Sequence, residues 1–232
     1  MAEESVIVEE KKEVKEREPL FSKKNKKLIT DPLDENNPVT IQVLGICSAL
    51  AVTVQMKAAV VMSISVLFVL LMANISVSLM RNLIPNRIRI IVQLVVVASL
   101  VIIVDQVLKA YLFDVSKELS VFVGLIITNC IIMGRLEAFA LGNKVWPSTL
   151  DALGNSIGYA MVLVVVSFFK ELFGSGKLFG VEIFGNVTEG TGLYAMGYMD
   201  NGLMLLPPSS LILVAIYIWV QKMRNPTLIE TH

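Results

Sequence analysis

Residues 58–80 read AAVVMSISVLFVLLMANISVSLM, twenty-three positions without a charged side chain, flanked by Lys57 and Arg81. At about 1.5 Å of rise per residue, a helix over this run is about 34 Å long. A bilayer core is about 30 Å thick. A helix that is apolar on every side has no solvent face, so this one belongs in a membrane or a large core. Working outward, the same test finds five more uncharged windows. They lie between Glu35 and Lys57, Arg89 and Asp105, Glu118 and Arg135, Asp151 and Lys170, and Asp200 and Lys222. Pro38 trims the first helix to about 39–56. The third must run past Asp105 towards Leu112 to reach a spanning length. Pro207-Pro208 open the sixth. The expected fold is an all-α integral membrane protein with six transmembrane helices, the first and fourth short or broken.

The remaining composition agrees. Of 232 residues, 55% are hydrophobic, and 20 Lys+Arg balance 20 Asp+Glu. Residues 1–37 hold 8 basic and 10 acidic residues, leaving 22 charges for the other 195 positions. A soluble domain of that size needs far more polar surface. A cytosolic enzyme, a disulfide scaffold and a nucleic-acid binder are therefore excluded. We expect a charged, disordered N-terminal tail over 1–37, a membrane domain over 38–224 and a short C-terminal tail over 225–232. No signal peptide is read, because no apolar core precedes Pro38. Lys23, Lys24, Lys26 and Lys27, the 81–89 loop with Arg81, Arg87 and Arg89, and the C-terminal Lys222 and Arg224 are the basic flanks. The positive-inside rule puts all three, and so both termini, in the cytoplasm. The neutral 109–118 loop and the glycine-rich 170–200 loop then face the other side.

Six spans also divide into three plus three, about 38–113 and 119–222. Each half opens with a cysteine-bearing span, Leu44-Gly45-Ile46-Cys47 and Ile127-Thr128-Asn129-Cys130, followed by a long apolar helix. Three is odd, so the second half enters from the opposite side, as in inverted-repeat transporter folds with broken helices. If the first helix runs from Pro38, Cys47 lies about 13 Å in, near the bilayer centre. Cys130 reaches a similar depth from the other face. Two readings of the cysteines stand at this point: small apolar packing residues, or ligands. Gly45 permits a helix break, and Gly124 and Gly134 bracket Cys130. Thr128 and Asn129 put polar groups at membrane depth, where such groups pair with other helices or line a site. The only histidine is His232, so an internal histidine metal site and a serine–histidine–aspartate set are both excluded.

Several long motifs carry a resemblance. They are Asn37-Pro38 with Gln42 through Thr53 (QVLGICSALAVT), Ser78 through Asn82 with Ile84-Pro85-Asn86, Ile102 through Lys109 (IIVDQVLK), Phe122 through Gly134 with Arg135 and Glu137 through Ala140, Glu171 through Gly180, and Asn201 through Leu206. Over about residues 36–222 the chain resembles the D-subunit family of sodium-translocating NADH:quinone reductases. The homologous E-subunit family of Rnf electron-transport complexes is the related alternative. The ICSALAVT and FGSGKLFG stretches are more similar to the sodium pump. The resemblance implies six helices in inverted repeats, in a six-subunit complex of the bacterial inner membrane that oxidises NADH, reduces ubiquinone and exports Na⁺. It implies a partner, the similar E subunit of the pump, of opposite topology. It also implies a [2Fe–2S] cluster between the two, with Cys47 and Cys130 as this chain's ligands. A [2Fe–2S] cluster takes four thiolates, or two with two histidines, so two thiols make half a site and the partner supplies the rest. On this reading the chain relays electrons and is not catalytic alone. A small secondary ion transporter is the rival from another class, and it would tolerate serine at both cysteines.

Other features are weaker. Gly174-Ser175-Gly176-Lys177 lacks the first glycine and the hydroxyl of a phosphate loop, since Glu171 and Leu178 stand there. It reads as a turn leaving the fifth helix, and no flavin, nucleotide or nucleic acid is expected on this chain. Asp105, Glu137 and Asp151 are acids at or near membrane depth, and as such are candidates for an ion path. The plainer reading pairs Asp105 with Lys109 at i,i+4 and makes Asp151 a helix N-terminal charge. Arg135 reads as an interface anchor or a counter-charge near the cysteines.

Overall fold

The computed structural model describes residues 28–33, 36–85, 87–111, 124–175, 177–178, 181–182 and 202–224. Its elements are a 3-10 turn at Asp31–Leu33, then α1 (Ile46–Val52), α2 (Met56–Met80), α3 (Arg89–Tyr111), α4 (Cys130–Arg135), a π-helical turn (Leu136–Ala140), α5 (Val145–Ser175), α6 (Gly202–Leu205) and α7 (Pro207–Arg224). Lys177–Leu178 and Val181–Glu182 form a two-residue antiparallel ladder beyond α5. Most of the expected N-terminal tail (1–27), the 112–123 connection, the 183–201 loop and the 225–232 tail lie outside the described residues. Among the described residues three helices, α2, α3 and α5, are long and apolar enough to cross a membrane.

The apolar windows become helices, but their ends fall elsewhere. The fifth was bounded by Asp151 and Lys170, yet α5 runs from Val145 to Ser175. The physical reason is that these charges are satisfied inside the protein and need no membrane surface. Lys170 is fully buried and donates to Ser210 Oγ of α7 at 2.8 Å. Glu171 accepts from the Met56 backbone N–H at the start of α2. Asp151 is likewise buried and paired, so it is not the residue that opens this helix. Pro147 sits in the first turn, where a missing N–H costs nothing.

The first helix is also shorter than expected. From Asn37 to Leu44 the backbone makes turns, with Ile41 and Gln42 N–H on Asn37 O and Leu44 N–H on Pro38 O. Asn37 itself is buried, and its Oδ1 accepts from Val39 N–H at 3.0 Å. The depth reckoned along a helix from Pro38 therefore does not apply, and regular helix begins only at Ile46.

Helices α2 and α5 form the centre and pack on each other along their length. Apolar side chains such as Val66, Val69, Leu70, Val162, Leu163 and Val166 are buried there. Polar groups tie the ends: Asn74 Nδ2 donates to Ser148 O at 3.4 Å and Ser78 Oγ to Asn143 O at 2.9 Å. Helix α3 is peripheral, with 17% of its apolar window buried within the chain against 56% for α2 and α5. The Gly154-x-x-x-Gly158 face of α5 lets another segment press in at backbone distance. A Cβ at Gly154 would lie 2.6 Å from Leu28 O, and one at Gly158 would lie 2.4 Å from Pro32 O. The segment 28–33, counted by charge with the tail, thus packs against the membrane domain. Small residues at such spacing permit this approach.

Candidate functional site

The two cysteines stand at corresponding places, each in the first turn of a short helix that follows a break. Before α1 the chain reverses through two residues in the left-handed region, Val43 (φ 58) and Gly45 (φ 81). Glycine adopts that conformation at no steric cost, whereas a β-branched valine is strained in it. Gly45 also has no room for a side chain. A Cβ there would lie 2.9 Å from the Tyr159 ring and 3.4 Å from Asn129 Oδ1. Cys47 follows as the second residue of α1. Before α4 the break is made by Asn129, which is extended (φ -68, ψ 120) and caps the helix by accepting from Ile131 N–H. Cys130 is then the first residue of α4. Both thiols are free and exposed.

The breaks touch. Ser48, beside Cys47, lies 2.6 Å from Tyr159 Oη. Asn129, beside Cys130, donates from Nδ2 to Ser48 Oγ at 3.3 Å and to Tyr159 Oη at 3.4 Å. Proton counting orders this network. Ser48 has one hydroxyl proton and donates it to Gly45 O at 2.8 Å, because a carbonyl only accepts. Tyr159 must therefore donate to Ser48. Ser48, Asn129 and Tyr159 are all buried; Ser48 follows Cys47 in sequence, and Asn129 precedes Cys130. Tyr159 lies 8 residues after Asp151 and 11 before Lys170 on α5, about 12 Å and 16 Å along the axis. The two breaks therefore meet midway along the fifth span.

The sequence pointed to Asn129 as a polar group needing a partner, and its partners are Ser48 and Tyr159. Thr128 instead bonds back to Gly124 O. Gly134 lies just before the end of α4. It lets Leu44 approach, at 3.1 Å from where a Cβ would stand. Tyr159 was missed: a lone tyrosine in an apolar helix carries no local signal of the break it serves. The π-helical turn at Leu136–Ala140 was missed too, and such turns often accompany functional sites.

The three candidate acids are not brought together. Asp105 accepts from Lys109 Nζ at 2.6 Å, the i,i+4 pair expected. Glu137 is paired with Arg89 and accepts from Gln93 Nε2 at 3.3 Å. Arg89 and Asp105 are 16 residues apart on α3, about 24 Å. Asp151 takes a two-pronged bond from Arg135, whose Nε donates at 3.0 Å and whose Nη2 completes the pair. Arg135 Nη1 also reaches Gln42 Oε1 at 3.4 Å, and the guanidinium lies 5.6 Å from the Phe139 ring centre. It thus fastens the end of α4 to the turn before α1.

Two exposed thiols on adjoining helix starts are donors of the kind that suit a soft metal. Thiolates select iron–sulfur centres, zinc and copper(I). Among the described residues no group of three or more His, Cys, Asp or Glu side chains is placed to hold a metal ion. The donor set therefore fits half of a thiolate centre and not a whole one.

Comparison with known proteins agrees with the fold. A family model described as "Rnf-Nqr subunit, membrane protein" matches residues 25–218. A relative from Photobacterium profundum, named as the D subunit of a Na(+)-translocating NADH-quinone reductase, is 53% identical over 209 residues, covering 90% of this chain and 97% of that protein. With its apolar helices and this match over most of its length, the chain belongs to the Rnf-Nqr family of membrane-protein subunits.

Proposed function

We propose that this chain is the electron-relay D subunit of a Na⁺-translocating NADH:ubiquinone reductase. Cys47 and Cys130 would hold one half of a [2Fe–2S] cluster, and the homologous E subunit would hold the other. The observation that carries this reading is the meeting of the two cysteine-bearing breaks, with both thiols outward and a buried polar network behind them. When bound, the cluster would accept and pass on one electron at a time. The chain's own residues do the rest. The half-helices α1 and α4 fix the thiols at mid-membrane depth. Each follows a break in its span, and the break sets where its thiol stands. Val52, Ile131 and Ile132 on the same two half-helices are buried in the apolar core.

Six spans in two inverted repeats, about 38–113 and 119–222, suit the packing. Helices α2 and α5, equivalent in the two halves, make the central pair. Helix α3 packs on α2 and, through Arg89 and Gln93, meets the fourth span at Glu137. Helix α7 packs on α5 and on α1, the matching arrangement. The basic flanks favour a bacterial inner-membrane protein with both termini in the cytoplasm. The complex would couple NADH oxidation and ubiquinone reduction to Na⁺ export.

The decisive experiment is Cys47→Ser and Cys130→Ser in the assembled complex. Serine nearly preserves the volume, so packing loss is small. It replaces a soft thiolate by a poor ligand for iron. We expect iron and sulfide of this centre to be lost. NADH oxidation by artificial acceptors should persist, while quinone reduction and Na⁺ export fail together. Full quinone reduction in both variants, with all subunits present, would overturn the relay role in favour of a transporter.

A further inference from the structure

We infer that Tyr159 is a positioning residue that holds the two cysteine-bearing helix starts at a set separation before any partner chain adds its ligands. The inference rests on the cluster reading above and concerns a residue in the middle of α5, remote in sequence from both cysteines.

Three observations converge on it. Tyr159 is fully buried and is the largest fully buried side chain among the described residues, so its ring is held by packing. Its ring fills the space over Gly45, where even a methyl group would lie 2.9 Å away. Its hydroxyl donates to Ser48 at 2.6 Å and accepts from Asn129 at 3.4 Å. One side chain thus contacts the turn before α1, the first turn of α1 and the cap of α4. Ser48 and Asn129 are the immediate neighbours of Cys47 and Cys130, so movement of either is movement of a thiol. Every polar atom in the set has a partner: Ser48 on Gly45 O, Tyr159 on Ser48, Asn129 on both hydroxyls, and Ile131 N–H on Asn129 Oδ1. A closed buried network of this kind specifies one geometry. Removing its central donor leaves an Asn129 N–H and a Ser48 lone pair unmatched away from water.

The test uses the whole purified complex. Tyr159→Phe keeps the ring over Gly45 and removes only the hydroxyl. Ser48→Ala removes the acceptor and leaves the ring untouched. Outer groups that orient ligands change metal affinity by about 10-fold to 100-fold when lost. We expect normal subunit amounts, iron released to a chelator at least about 10-fold faster than in the unaltered complex, and a changed electron paramagnetic resonance spectrum of the reduced cluster. The double variant should be no worse than the more severe single one, because both break the same network. Chelator rates and spectra equal to those of the unaltered complex in both single variants would overturn the positioning role. So would failure of both variants to assemble, since loosened iron in an assembled complex is what positioning requires. A cluster retained in full by Cys47→Ser and Cys130→Ser would instead overturn the ligand reading, and this inference with it.

Discussion

The two cysteine-bearing breaks solve one problem by different chemistry. Ahead of Cys47 the chain turns through a left-handed glycine and a strained valine, with no side-chain cap on α1. Ahead of Cys130 only Asn129 is extended, and its side chain caps α4. The first break is made by the absence of a side chain, the second by the presence of one. The two are then welded, because the asparagine that caps the second also bonds the serine behind the first. Two helix breaks can thus be built from different residues, provided that the interior polar groups each leaves find partners in the other.

Three substitutions probe this comparison. The largest effect is expected from Arg135→Gln, because Arg135 links the end of α4 to Gln42 ahead of the first break and neutralises the buried Asp151. Leaving a buried carboxylate unpaired costs about 3–5 kcal/mol. We expect a clear loss of thermal stability of the purified complex, partly restored when Asp151→Asn is added. No restoration would mean that Arg135 acts through Gln42 and Phe139, not through the charge. Next, Gly45→Ala should cost about 2–4 kcal/mol, from the left-handed backbone and from forcing the Tyr159 ring aside. On the proposed cluster reading, iron content should fall together with the stability. A variant as stable as the parent would show that the first break is set elsewhere. The smallest effect is expected from Asn129→Ala, at about 1–2 kcal/mol for a lost cap. If thermal melting showed Asn129→Ala to be more damaging than Gly45→Ala, the second break would be the controlling one.

Much of the architecture was legible because its signals are local. Uncharged windows located the long helices α2, α3 and α5. Pro207 marked the start of α7, and Lys109 marked itself as the partner of Asp105 at i,i+4. Gly45 announced the first break, while Asn129 was legible only as a polar group beside Cys130 that needed a partner. Charge was a poorer guide to where spans end. Asp151 and Lys170 looked like membrane boundaries and are instead inside the packed domain, because Arg135 and Ser210 satisfy them.

Sequence by itself therefore determined that this chain is a membrane protein, which of its segments are apolar helices, and which two thiols are the candidates for chemistry. Those properties follow from hydropathy and from the short-range geometry of glycine, proline and caps. Only the tertiary structure decided that the two breaks face each other, that Tyr159 closes the network between them, and that residues 28–33 lie in the Gly154 and Gly158 groove. Each of these joins residues tens of positions apart in the chain. Their contacts depend on how α2 and α5 pack, and a periodic apolar pattern says that a helix is buried without saying against what.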